Sequence, residues 1–121
     1  MARVRADRRW IIDTFFESSF IPDMLTELSK PDTYIYGPCE EMAVTLSGYL
    51  DPDEMGYFGE DIAAITIEHG VNPDDEVDLS FAEFLDLLDA KVKEYIIEHP
   101  DEADDINANM ENVRRKLSVT R

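Results

Sequence analysis

Cysteine is nearly absent from this chain. Cys39 is the one thiol in 121 residues, so no internal disulfide can form, which suits the reducing cytoplasm. Without a redox partner, Cys39 is expected as a small buried hydrophobe rather than a reactive thiol. Long apolar runs are missing too. Trp10-Ile11-Ile12 is cut off by Asp13, too short for a signal-peptide core, and no later run nears the ~20 apolar residues of a membrane span. The two histidines, His69 and His99, have no Cys or His neighbour at ligand spacing and read as ordinary imidazoles at element ends. The five glycines build no phosphate-cradling loop, and no Gly-x-Ser-x-Gly or zinc motif occurs. Paired carboxylates carry no signal among 28 acids, where any pair arises by chance. Neither an enzyme nor a bound cofactor or metal is expected.

Basic residues are scarce, and they lie mostly at the ends. Residues 1–9 hold Arg3, Arg5, Arg8 and Arg9 against Asp7, and residues 113–121 hold Arg114, Arg115, Lys116 and Arg121 with no acid. Residues 10–112 therefore carry Lys30, Lys91 and Lys93 against 28 − 1 = 27 acids, a net of 3 − 27 = −24. Such a body repels nucleic acid and anionic membranes, so neither is an expected direct partner. A basic protein is the natural complement, because opposite potentials speed encounter and reject wrong partners. Solubility is the plainer use of the same charge.

What is present argues for a folded chain. Hydrophobic residues make up 44% of it, with six Phe, five Tyr and one Trp, enough for one compact core despite the net charge of −17. Trp10, Ile11, Ile12, Phe15, Phe16 and Phe20 form a helical stripe, predicting a helix over about 7–19. Pro22 suits the first turn of a short second helix carrying Met24, Leu25 and Leu28, which Pro31 stops. Tyr34-Ile-Tyr-Gly-Pro38 reads as an aromatic loop. Residues 38–50 support two readings: Pro38, Glu40 and Glu41 look like a helix start, which is favoured, while Met42, Val44 and Leu46 alternate like a strand. Ile65 and Ile67 alternate with Thr66 and Glu68, and Val77 and Leu79 do so after Gly70, Asn72 and Pro73, predicting an antiparallel hairpin with a longer loop. Ser80 and Glu83 make a capping-box signal ahead of the helical stripe Phe81, Phe84, Leu85, Leu88, Val92, Tyr95 and Ile96. Pro100 opens a last helix with stripe Ile106, Met110, Val113 and Leu117, acidic at its start and basic at its end. The fold class is α+β: a helix-rich domain with a small antiparallel hairpin or sheet, about residues 62–79, packed on amphipathic helices.

Asn72–Glu83 invites a calcium reading. Aligned to a twelve-residue EF-hand loop, Asp74, Glu76 and Glu83 fall at ligand positions and Leu79 at the hydrophobic eighth. Val77, however, takes the sixth place, where the sharp turn needs glycine, and a strand precedes where a helix is required. A second run from Asp51, with Asp53, Gly56 and Phe58 well placed, puts Ile62 at the twelfth position, which cannot ligate.

Tyr57-Phe58, the Ile62–Glu68 strand, Glu76-Val-Asp-Leu-Ser-Phe-Ala-Glu-Phe-Leu-Asp-Leu-Leu88 and Lys93-Glu-Tyr-Ile-Ile-Glu-His-Pro-Asp-Glu102, with Gly37-Pro-Cys39 ahead, form a pattern of hydrophobic and acidic positions. In this the chain resembles immunity proteins of bacterial contact-dependent growth inhibition systems, and more narrowly the group paired with ribonuclease toxins. The likeness covers about residues 37–105; the first helix and the tail after Asn112 carry little of it. It implies a single immunity-protein-like domain, 1–121, that acts in the cytoplasm by binding the nuclease domain of a cognate toxin. Contact residues vary between cognate pairs, so no binding site carries over. The acidic runs supply the expected contacts instead: Asp51, Asp53, Glu54, Glu60, Asp61, Asp74, Asp75, Glu76 and Asp78, with Tyr57 as an aromatic anchor. The alternatives are an acidic adaptor with another basic partner, or a degenerate EF-hand-like, calcium-responsive protein.

Overall fold

A computed structural model of the chain describes residues 8–47, 53, 61–69 and 72–118, with the backbone alone at 69, 72–74 and 118. Helix α1 spans Arg8–Ser18 and buries Ile11, Phe15 and Phe16; the Ser19 hydroxyl donates to the Phe15 carbonyl at its end (2.7 Å). Trp10 and Phe20, which the sequence stripe includes, are instead 46% and 53% exposed. Helix α2, Ile21–Leu28, holds Pro22 in its first turn, where no N–H is needed, and fully buries Met24, Leu25 and Leu28.

Two strands follow where a loop and a helix were the expectation. Strand β1 is Ile35–Cys39 and β2 is Met42–Leu46, and they pair antiparallel. The polar residues Glu40 and Glu41 that resembled a helix start are the turn between them. The strand reading wins because β2 has two partners: its whole length also pairs with β3, Ile62–His69, from Met42↔Ile67 to Leu46↔Ala63. Gly37 belongs at the β1–β2 irregularity, where a Cβ would lie 2.7 Å from the Met42 carbonyl oxygen. Cys39, expected to be buried, is exposed at the end of β1.

Strand β4, Asn72–Ser80, completes an antiparallel sheet of order β1-β2-β3-β4. The loop before it is short rather than long: His69 already pairs with Asn72, and Asn72 and Pro73 belong to the strand. Pro73 is tolerated there because β4 is an edge. An extended, ladder-paired backbone sends successive side chains to opposite faces, so Asn72–Ser80 does not wrap as an EF-hand loop does. The second candidate loop falls almost wholly outside the described residues.

Helix α3, Phe81–Glu98, starts from the expected capping box: the Glu83 N–H donates to the Ser80 hydroxyl (3.1 Å) and the Ser80 N–H donates to the Glu83 carboxylate (3.0 Å). A 3₁₀ turn, Pro100–Glu102, leads into α4, Ala103–Ser118, so this helix begins slightly later than Pro100. Ile106, Met110, Val113 and Leu117 are all buried.

The core explains the layering. Tyr36, Val44, Leu46, Ala63, Ile65, Ile67, Val77 and Leu79 point from the strands into one cluster with Phe15, Leu25, Phe84, Leu88 and Met110 from the helices. By the two-residue period, Ile35, Ala43, Thr45, Ala64, Thr66, Glu68, Glu76 and Asp78 face the other way. None of these residues belongs to the core cluster.

Candidate partner-binding surface

The acids expected to meet a partner do not fall in one place. Glu76 and Asp78 are exposed on the outer face of β4, and the Thr66 hydroxyl on β3 donates to Glu76 (3.5 Å). Asp75, on the same side of β4 as Val77 and Leu79, is 5% exposed and turned to the core side. Asp61 precedes β3 with φ 57, a left-handed conformation that an aspartate tolerates better than most residues, and its carbonyl accepts from the Phe81 N–H (2.8 Å). That bond ties the start of β3 to the start of α3. Asp53 is exposed, and the backbone of Asp74 lies on β4. Asp51, Glu54, Tyr57 and Glu60 lie outside the described residues.

Sequence reasoning missed other members of this surface. Glu41 and Glu68, both exposed, sit side by side, with the Glu68 N–H donating to the Glu41 carbonyl (2.7 Å). Their proximity follows from β2–β3 pairing, which the helix reading of residues 38–50 concealed. Ile35, 54% exposed, borders a cleft of about 460 Å³ between α2 and β1, lined by Asp23, Thr26, Glu27, Ile35, Tyr36 and Gly37. Burial raises the Tyr36 phenol above its ordinary value, a hydrogen bond from the Phe20 backbone partly lowers it, and Asp23 and Glu27 raise it further. The alternation of Ile35 and Gly37 around Tyr36 was the available signal.

Charge divides between the two layers. No Lys or Arg occurs between Lys30 and Lys91, so every strand is free of both. The helical layer is mixed. Arg8 donates to Glu83 (3.1 Å) and to the Asp78 carbonyl (3.3 Å). Lys30 meets Glu27 (2.8 Å), Lys93 meets Asp89 (3.2 Å), and Arg114 bridges Asp89 (2.8 Å) and Glu111 (3.2 Å).

Two further features belong to the helical layer. The Lys116 ammonium donates to the carbonyls of Leu28 (3.0 Å), Lys30 (2.7 Å) and Thr33, and lies 5.0 Å from the Tyr34 ring centroid. Burial lowers its pKa, with Asp32 opposing. Beside it, Tyr34, Leu46, Phe81, Arg115 and Leu117 help to line a second cleft of about 460 Å³. At the far end of α3, Tyr95 stacks on His99 (4.4 Å) and donates to Glu102 (2.9 Å), while Phe20 meets its edge (6.1 Å).

Fold and surface together define an acidic α+β protein whose helices pack on one face of an antiparallel sheet. The chain belongs to the CDI immunity protein family: that family's model matches residues 8–110, including α1 and α2, where the sequence pattern carried little of the likeness. It is accordingly an immunity protein that neutralises a toxin of contact-dependent growth inhibition. No curated protein and no solved structure matches it significantly. Among the described residues, no helix is long and apolar enough to cross a membrane.

Proposed function

We propose that the cognate toxin is a basic nuclease, a ribonuclease in particular, held in the cytoplasm by charge and shape complementarity. The observation that carries this reading is the charge division: 27 acids against three bases over residues 10–112, and strands without Lys or Arg. A nuclease active site gathers positive potential to hold phosphates, and an acidic protein competes for that potential. Glu76, Asp78 and Asp61 are the described members of the expected contact set that reach solvent, wholly or in part; Asp53 is exposed as well. Asp51, Glu54, Tyr57, Glu60 and Asp74 complete that proposal; Asp75, buried on the core side, supports the β4 edge instead.

The test is co-expression of the chain with the toxin domain encoded beside it. Rescue of growth, with cellular RNA intact in rescued cells and cleaved in unprotected ones, is the expected outcome. A toxin that stops growth by leaking ions, with RNA undamaged, would overturn the nuclease reading and leave toxin neutralisation standing.

A further inference from the structure

The outer face of the sheet forms an ordered surface. The pairings Ile35↔Thr45, Thr45↔Ala64 and Ala64↔Asp78 draw one row straight across four strands, and Ala43↔Thr66 and Thr66↔Glu76 draw the next. The first row starts on the apolar Ile35 of β1 and the second on Ala43 of β2, and both end on a carboxylate at β4. Between the ends no side chain is larger than threonine, so an approaching backbone meets a flat floor.

We propose that this face, which no helix of the described residues covers, is where the toxin docks, entered from the α2–β1 cleft, a deepening of the basic-nuclease reading on which it rests. The occupant is the cationic surface of the toxin domain. Its Arg and Lys side chains reach Glu76, Asp78 and Glu68, and an apolar neighbour covers Ile35. At the cleft, Glu27 is engaged by Lys30, and Asp23 lies exposed on the same wall. The choice of face follows from charge complementarity. The helical layer mixes its acids with Lys and Arg, several of them paired through Arg114, Lys93 and Arg8, whereas the strands carry carboxylates and no Lys or Arg.

Size supports the two-edged footprint. Four strands about 4.8 Å apart, with rows about 7 Å apart along each strand, give a face on the order of 300 Å². A standard interface takes roughly 800 Å² per partner, so a stable complex must extend past the sheet edges. The cleft with Asp23 and Ile35 lies at one edge, and the acids of β4 lie at the other.

The experiment compares toxin affinity for the parent chain and four variants. Thr45→Arg and Thr66→Arg raise a long cation from the floor without entering the core. The paired variant Glu76→Lys/Asp78→Lys reverses the acidic edge. Asp104→Lys/Asp105→Lys makes the same charge change on α4, which packs on α2 and α3, away from the sheet. The expected result is at least a tenfold loss of affinity for each sheet variant, with the thermal midpoint retained, and less than threefold for the α4 variant. If a threonine variant fails to fold, the β4 and α4 pairs, matched in charge, still decide. Sheet variants that bind like the parent chain, or an α4 variant that loses as much, would overturn the docking face while toxin binding stands. A parent chain that does not bind the toxin would remove the nuclease reading and this inference with it.

Discussion

Lys116 does more for the fold than its place in a basic tail suggests. Its ammonium gathers three carbonyls from the end of α2 and the chain leading to β1, joining the last turn of α4 to a segment more than eighty residues earlier. Replacing Lys116 with Met keeps most of the stem but leaves those carbonyls without their donor. Each loss of a half-buried partner costs about 1–3 kcal/mol when water cannot fully replace it. Lys116→Met is therefore expected to lower the urea midpoint by an amount equivalent to about 2 kcal/mol, at unchanged m-value. Gly37 is the second such position. Gly37→Ala sets a methyl against the Met42 backbone carbonyl, which cannot swing aside as a flexible side chain could, and should cost more than the ~0.5 kcal/mol of an ordinary surface change. Neither role was legible from sequence, because both depend on which distant backbone the residue meets.

At the scale of elements, legibility followed the range of the interactions. The four helices were readable because their signals are local: Pro22 in a first turn, the Ser80–Glu83 box, and apolar residues every three or four positions. The β3–β4 hairpin was readable for the same reason. Strands β1 and β2 were not, since β1 contains Gly37 and Pro38, and β2 is fixed by pairing with residues 63–67, across the chain from Ser47 to Ile62. The surface inherits this limit. That residues 74–78 are acidic is plain from sequence, but that Glu76 and Asp78 face outward while Asp75 turns in is a matter of register. The capping box makes its own prediction. The Ser80 N–H first, and then Arg8, hold the Glu83 carboxyl below the usual glutamate range. A depressed folded value means that the stabilisation is complete above the unfolded pKa of about 4.3 and is lost as pH falls through the folded one. Glu83→Gln should therefore be less stable than the parent at neutral pH and converge with it in acid, as followed by thermal melts from pH 7 down to pH 2.

For the molecule as a whole, the same charge acts in two directions, and salt separates them. Free in solution, a chain of net charge −17 repels itself, most strongly where residues 31–90 hold no Lys or Arg to offset their acids. Screening relieves that repulsion: the Debye length falls from about 10 Å at 0.1 M to about 3 Å at 1 M. Added sodium chloride should thus raise the thermal midpoint of the free protein at pH 7. Binding to a basic toxin has the opposite dependence, because the charges that repel within the chain attract across the interface. At the proposed docking face, long-range attraction would chiefly speed encounter, while packing against Ile35 and the sheet floor would govern escape. Stopped-flow association between about 0.05 and 0.5 M salt should therefore show the on-rate falling by an order of magnitude or more, with the off-rate changing far less. An on-rate indifferent to salt would mean that the acidic strands serve solubility alone, and toxin recognition would then rest on the apolar contacts at the β1 edge.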